Sequence, residues 1–247
     1  MSQISSPARL INSAEPVLGA AGAPSATKLA PDQRRHTGNV RAKPQAQRER
    51  RSTFSREQIV ERILFEDSAR LVLVHAPAGY GKTVLMRQLR ASYQCHGALT
   101  AWVSLDDSDN DSAGFLHSLT VSIKRALART RNKYFPVHAL GDDDFDHVSA
   151  MEHIQSLMER PEFFDAPFVL FLDNFDALKV SCVIEHVTQL LDFFPPQARI
   201  VIGARSEPSI PLGQLRAHGQ LVEVDTEELR LTDKETREFL RNECDAV

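Results

Sequence analysis

The sequence predicts an α/β fold: a parallel central sheet with helices on both faces, three layers in all. Two observations predict it. Apolar runs beginning at Leu71, Phe168 and Ile200 are continuous rather than alternating, the pattern of strands buried on both faces. Stretches with helical spacing separate these runs. Strands alternating with helices build parallel sheets through right-handed crossovers.

The bulk composition is compatible with this architecture. The 247 residues suffice for one ordinary domain with a tail, or two small ones. A hydrophobic content of 42% and a charged content of 25% are those of a globular chain. The net charge of −4 argues against a nucleic-acid binder as a whole. Cys95, Cys182 and Cys244 are too widely spaced for a zinc site or a disulfide framework, which suits a reducing cytoplasm. No apolar stretch approaches the roughly 20 residues of a membrane span. The N-terminus lacks the apolar segment of a secretory signal.

Residues 1–54 read as a disordered basic arm, rich in Ser, Ala, Pro, Gln and Arg. Its Arg48, Arg50 and Arg51 suit a solvated linker, or contact with an acidic partner or nucleic acid. Order is expected from Ser55, where Ser55 and Gln58 form a capping-box pattern before Ile59, Ile63 and Leu64. A strand follows at 70–75, then a helix over about 82–94 with Val84, Leu85 and Leu89 facing the sheet. Thr100–Leu105 is a second strand, ending in the acidic loop Asp106–Asp111. Phe115, Leu116, Leu119, Ile123 and Leu127 mark a long helix. A polar loop over 128–147 and a helix over about 148–160 come next. The strand from Phe168 ends at Asp173, and a helix over about 178–194 is closed by Pro195 and Pro196. Arg199–Ala204 is the fourth strand, Leu221–Val224 the fifth, with a short helix near 211–217 between them. Thr232 and Glu235 repeat the helix-start pattern.

The most informative chemistry lies between the first strand and its helix. The segment Ala76-Pro77-Ala78-Gly79-Tyr80-Gly81-Lys82-Thr83-Val84 is a phosphate loop whose usual first glycine is alanine. Successive backbone N–H groups and the positive helix end bind phosphate oxygens there. Gly79 and Gly81 supply the left-handed backbone. Lys82 reaches the β- and γ-phosphates, and the Thr83 hydroxyl ligates Mg²⁺. The expected fold is therefore a P-loop NTPase that binds ATP or ADP with Mg²⁺.

Hydrolysis needs a metal ligand, a water-positioning group and charge stabilisation. Asp173, at the C-terminal end of a buried strand, is the natural metal-binding Walker B carboxylate beside Thr83. Asn174 follows where a second acid is common; an amide orients water but is a poor acceptor for its proton. Asp176 is either a substitute catalytic acid or a helix N-cap. Asp106 and Asp107 are either a base on a neighbouring strand or a solvated acidic loop. Arg205 ends a strand expected between those of the phosphate loop and Asp173. It either neutralises the γ-phosphate or forms a surface salt bridge, and Arg216 is a weaker candidate of the same kind.

Leu73–Thr83 closely resembles the phosphate loop of the STAND-type ATPases that begin large LuxR-type regulators of the maltose-activator group. Ala101–Asp106 with Asp109–Asp111, Phe168–Asp173, Ala204–Pro208, Pro211-Leu212, Leu215-Arg216 and Leu229–Thr232 match that family in order and spacing. The resemblance runs from about Ser55 to the end of the chain. It implies an ATP-driven switch that is autoinhibited with ADP and self-associates with ATP, with Arg205 as the sensor arginine. It also implies a nucleotide domain over 55–228 and the start of a helical or winged-helix module over 229–247, with the DNA-binding part beyond Val247. DNA binding is not supported by the residues present. Asn174 departs from the family's acidic pair. Two other classes stay open: a small-molecule kinase, and a non-hydrolysing nucleotide-binding scaffold.

Overall fold

The computed structural model describes residues 55–128, 147–159, 166–233 and 235–237. The arm expected over 1–54 lies outside them, as does the loop expected over 128–147 apart from its two end residues, which are helical. In chain order the elements are α1 (Glu57–Leu64), β1 (Leu71–His75), α2 (Lys82–Cys95), β2 (Leu99–Ser104) and α3 (Ser112–Ala128). They continue with α4 (His147–Met158), β3 (Phe168–Asp173), α5 (Ser181–Phe193), β4 (Ala198–Ala204), α6 (Leu212–Ala217), β5 (Leu221–Val224) and α7 (Thr226–Leu229). Single 3₁₀ turns at Asp107–Asn110 and Phe175–Ala177 follow β2 and β3.

The five strands of the described residues are all parallel, in the order β2-β3-β4-β1-β5. The strand that ends at Arg205 thus lies between the phosphate-loop strand and the Asp173 strand, as expected. Alternate residues of each strand enter opposite layers. Leu71, Leu73, Phe168, Leu170, Leu172, Ile200 and Ile202 pack with the buried faces of α3, α4 and α5. Val72, Val74, Val169, Phe171, Val201, Val222 and Val224 pack with α1 and α2 through Ile63, Leu85, Met86 and Leu89. This is the three-layer arrangement that continuous apolar runs require.

The β2 edge is closed by a side chain. Ser122 of α3 receives the Trp102 N–H at 3.0 Å and donates to the Trp102 carbonyl at 2.8 Å, replacing a missing strand partner. Trp102 stacks on Phe171 with ring centroids 5.3 Å apart.

Three local expectations are corrected. Ser55 does not cap α1; its N-cap is Arg56, without a side-chain cap, and the Arg56 N–H goes to Gln88 Oε1 of α2 at 2.8 Å. The acidic loop after β2 is a capped 3₁₀ turn in which Asp106 Oδ1 accepts the Ser108 N–H and Asp109 Oδ2 accepts the Asp106 N–H. Asp109 is only 2% exposed, so the turn is not simply solvated. The helix expected from 178 starts at Ser181 with Val180 as its N-cap, so Asp176 does not cap it. The capping box at Thr232 and Glu235 does form, through the Thr232 N–H to Glu235 Oε2 and the Glu235 N–H to Thr232 Oγ1.

Candidate functional site

The C-terminal ends of β1, β3 and β4 lie side by side and carry the candidate residues on three successive loops. The chain leaves β1 at His75, and the Ala76 N–H bonds the Ala204 carbonyl at 3.2 Å, tying the loop's start to β4. Gly79 and Gly81 have φ of 88° and 83°. A Cβ on either would meet nothing within 4 Å in the protein, so backbone conformation rather than crowding demands glycine. Gly81 is the N-cap of α2, whose first turn leaves N–H groups without intrahelical partners at its positive end. Pro77 and Ala78 are exposed, Ala76 is buried, and Tyr80 and Val84 are half-buried.

Lys82 Nζ donates to the Ala76 and Pro77 carbonyls at 2.6 and 2.9 Å, so the ammonium is folded back over its own loop. Burial pushes Lys82 below its ordinary value; Asp176 and Asp173 push it back up and Arg205 pushes it further down. Thr83 Oγ1 donates to Asp173, 3.0 Å from Oδ2 and 3.2 Å from Oδ1, bringing the two expected metal ligands together. Burial raises the Asp173 carboxyl above its ordinary range, against the Thr83 hydroxyl, the Asn174 N–H, Arg87 and Lys82.

Asn174 is in the left-handed region with φ of 64°, alone among the described non-glycine residues. Its N–H bonds Asp173 Oδ1 at 3.0 Å, and its amide Nδ2 donates to the Leu105 carbonyl at the end of β2 at 2.9 Å. Asparagine tolerates this conformation better than a longer acid. The residue in the usual acid position therefore serves the backbone, and its amide is turned toward β2.

That turn brings Asp176 to the end of β4. Asp176 Oδ1 accepts the Arg205 N–H at 3.1 Å, and Oδ2 pairs with Arg205 Nε at 3.0 Å. The structure thus joins the candidate acid to the candidate sensor. Asp106 and Asp107 serve elsewhere: Asp106 caps its own turn, and Asp107 pairs with Lys179 at 3.2 Å. Asn110 braces the same segment, accepting the Lys179 N–H at 2.6 Å and donating to the Ala177 carbonyl at 2.8 Å. Arg216 is held by Glu207 at 2.9 Å and Glu223 at 2.6 Å, and these carboxylates raise its affinity for its proton.

Sequence reasoning missed Gly203. A Cβ there would sit 2.5 Å from Met86 Sδ and 3.1 Å from Asp173 Oδ1, so β4 must present bare backbone to α2 and to the carboxylate. A glycine inside an apolar strand was the available signal.

The donor set fits a magnesium-bound nucleotide: left-handed glycines at a helix N-terminus, an ammonium resting on loop carbonyls, and a hydroxyl against a carboxylate. The AAA domain family matches residues 66–205, the span from the approach to β1 through Arg205. The chain belongs to this AAA domain family. Over 194 residues, 77% of the chain, it is 28% identical to the serine/threonine-protein kinase PknK of Mycobacterium tuberculosis H37Rv, covering 17% of that protein. It is also 28% identical over 78% of its length to the HTH-type transcriptional regulator MalT of Yersinia pestis strain Pestoides F, covering 20% of it. The chain thus spans about a fifth of the length of these relatives. A STAND protein with a tetratricopeptide repeat sensor from Pyrococcus horikoshii aligns with 76% of the chain and 25% of its own, at 14% identity and a TM-score of 0.44. This AAA domain is therefore a P-loop ATPase-type domain similar to part of MalT. No described helix is long and apolar enough to cross a membrane.

Proposed function

We propose that this AAA domain is the nucleotide-operated switch of a LuxR-type transcriptional regulator, binding ATP or ADP with Mg²⁺ and hydrolysing ATP slowly. The Lys82–Thr83–Asp173 constellation carries the reading, because the cation, the metal-binding hydroxyl and the carboxylate meet at one loop. Residues 76–84 cradle the phosphates, with Lys82 moving from the loop carbonyls to phosphate oxygens. Thr83 and Asp173 hold Mg²⁺, which supplies neutralisation of phosphate charge. Asn174, with its amide on the Leu105 carbonyl, supports slow turnover, because an amide is a poor acceptor for a proton from water. In this reading the nucleotide domain spans 55–228, and the segment from 229 onward begins the module it controls. ATP favours the self-associating form and ADP the closed one, since a ligand shifts an equilibrium only by its differential affinity for the two states.

Calorimetric titration with Mg²⁺ and ATP or ADP tests the site. Lys82→Ala is expected to weaken ATP binding by about tenfold or more, which is about 1.4 kcal/mol. Equal affinity in wild type and variant would sink the phosphate-loop role. A steady-state phosphate-release assay is expected to show turnover below the roughly 1 s⁻¹ lower end of typical enzymes. Faster release would refute the part assigned to Asn174.

A further inference from the structure

We infer that Asp176 is a built-in counter-ion at the cationic end of the phosphate site, setting the domain's preference for nucleoside diphosphate over triphosphate. The inference rests on the reading that residues 76–83 bind Mg²⁺-nucleotide. Asp176 sits in the 3₁₀ turn after β3, placed there by the left-handed turn at Asn174. Its two oxygens hold Arg205 at two points, backbone N–H and side-chain Nε. The two partners are not equally free. The Asp176 side chain is 23% exposed and the Arg205 side chain 61%, so the anion is held within the fold while the cation projects from it.

Asp176 also acts on the loop lysine, being the strongest of the charges that favour the Lys82 ammonium. One carboxylate therefore pairs with one of the cations expected to meet the terminal phosphate and favours the charge on the other. A γ-phosphate brings negative charge to the place where Asp176 already pairs with Arg205. It must compete for the same guanidinium and is repelled by the carboxylate. A diphosphate ends one phosphate earlier and leaves the Asp176–Arg205 pair intact. The ion pair is thus a latch that the diphosphate state keeps closed and the triphosphate state must open. Asp176 serves here as a specificity-determining residue rather than as the substitute base, since both its oxygens are engaged by Arg205.

The test is calorimetric titration of the full chain with Mg²⁺-ADP and Mg²⁺-ATPγS, using wild type, Asp176→Asn, Arg205→Gln and the double variant. Asparagine keeps an oxygen for the Arg205 N–H and removes the charge. Asp176→Asn is expected to raise ATPγS affinity about tenfold while ADP affinity changes by less than about threefold. Arg205→Gln is expected to lower ATPγS affinity, and the double variant to resemble Arg205→Gln, because the two residues act as one unit. An unchanged or lowered ATPγS-to-ADP affinity ratio in Asp176→Asn overturns the inference and returns Asp176 to a water- or metal-positioning role. If Asp176→Asn melts at lower temperature than wild type without nucleotide, Asp176→Ser repeats the measurement with the same expected direction. Failure of wild type to bind either nucleotide would remove the phosphate-loop reading itself, an outcome separable from an unchanged ratio.

Discussion

Asp173 bears the conflict between binding and stability most directly. Its carboxyl is raised from an ordinary value of 3.8, chiefly by burial, with Thr83 and the Asn174 N–H offsetting part of the shift. A raised carboxyl keeps its proton to higher pH in the folded than in the unfolded chain. The folded state then binds more protons across the window between those two values, so stability falls as pH rises through it. The destabilisation is absent below the ordinary carboxylate range and complete above the raised value. Asp173→Asn keeps an acceptor for both hydrogen bonds and removes the buried charge. The variant is expected to melt higher than wild type at pH 7.5, by roughly 2–4 °C per kcal/mol gained. The difference should shrink at pH 4.5, while Mg²⁺-dependent nucleotide binding weakens. Thermal melts at the two pH values check the first part and calorimetry the second. A lower melting temperature at pH 7.5 would show that the carboxylate's contacts outweigh its burial. Asn174, one residue on, answers a different demand: its φ of 64° selects a residue that tolerates the left-handed region.

Among the elements, β4 is the most constrained. It lies between β1 and β3, carries Arg205 at its end, and presents Gly203 to Met86 of α2 and to Asp173. Gly203→Ala forces a fully buried methionine to move and crowds the carboxylate. Methionine adapts more readily than a branched side chain, so a cost of about 1–2 kcal/mol is expected. It should appear as a lower urea midpoint at unchanged slope, together with weaker Mg²⁺-nucleotide binding. A loss of binding without a change in midpoint would mean that the contact with Asp173 alone matters. The acidic turn after β2 acts at this scale too, because Asn110 and Asp107 brace the segment between β3 and α5.

At the scale of the whole molecule, Arg56 connects the first of the described residues to the last of them. Its backbone N–H bonds Gln88 of α2, and its guanidinium bonds the Leu229 carbonyl and lies 3.7 Å from Glu235. Burial lowers the affinity of Arg56 for its proton, and Glu235 raises it. The helix that carries Lys82 is thereby joined to the segment that holds Leu229 and Glu235. Arg56→Ala leaves the Leu229 carbonyl and Glu235 without this partner, a local cost of about 1–3 kcal/mol. Amides of Leu229 and Arg230 are expected to exchange roughly five to a hundred times faster, with β1 and β3 unaffected. Equal acceleration in the strands would show that Arg56 stabilises the domain globally.

Residue type and spacing determined the layers, the parallel sheet and the phosphate loop, because buried strands, helix faces and left-handed glycines are local requirements written over a few residues. The pairing of Thr83 with Asp173 was likewise readable, since each ends or begins an element whose place follows from the alternation. The rest depended on contacts between distant segments. Arg56 rather than Ser55 opens α1, and its N–H is held by Gln88 on the neighbouring helix. The acidic turn is a brace because Lys179 and Ala177 lie across from it. Gly203 acquired its meaning from Met86 and Asp173 on two other elements. Asp176 and Arg205 were separately visible as candidates, but 29 residues separate them in sequence and only the β3–β4 adjacency brings them together. Charge pairing at a distance carries no local periodicity, so the tertiary structure alone could decide it.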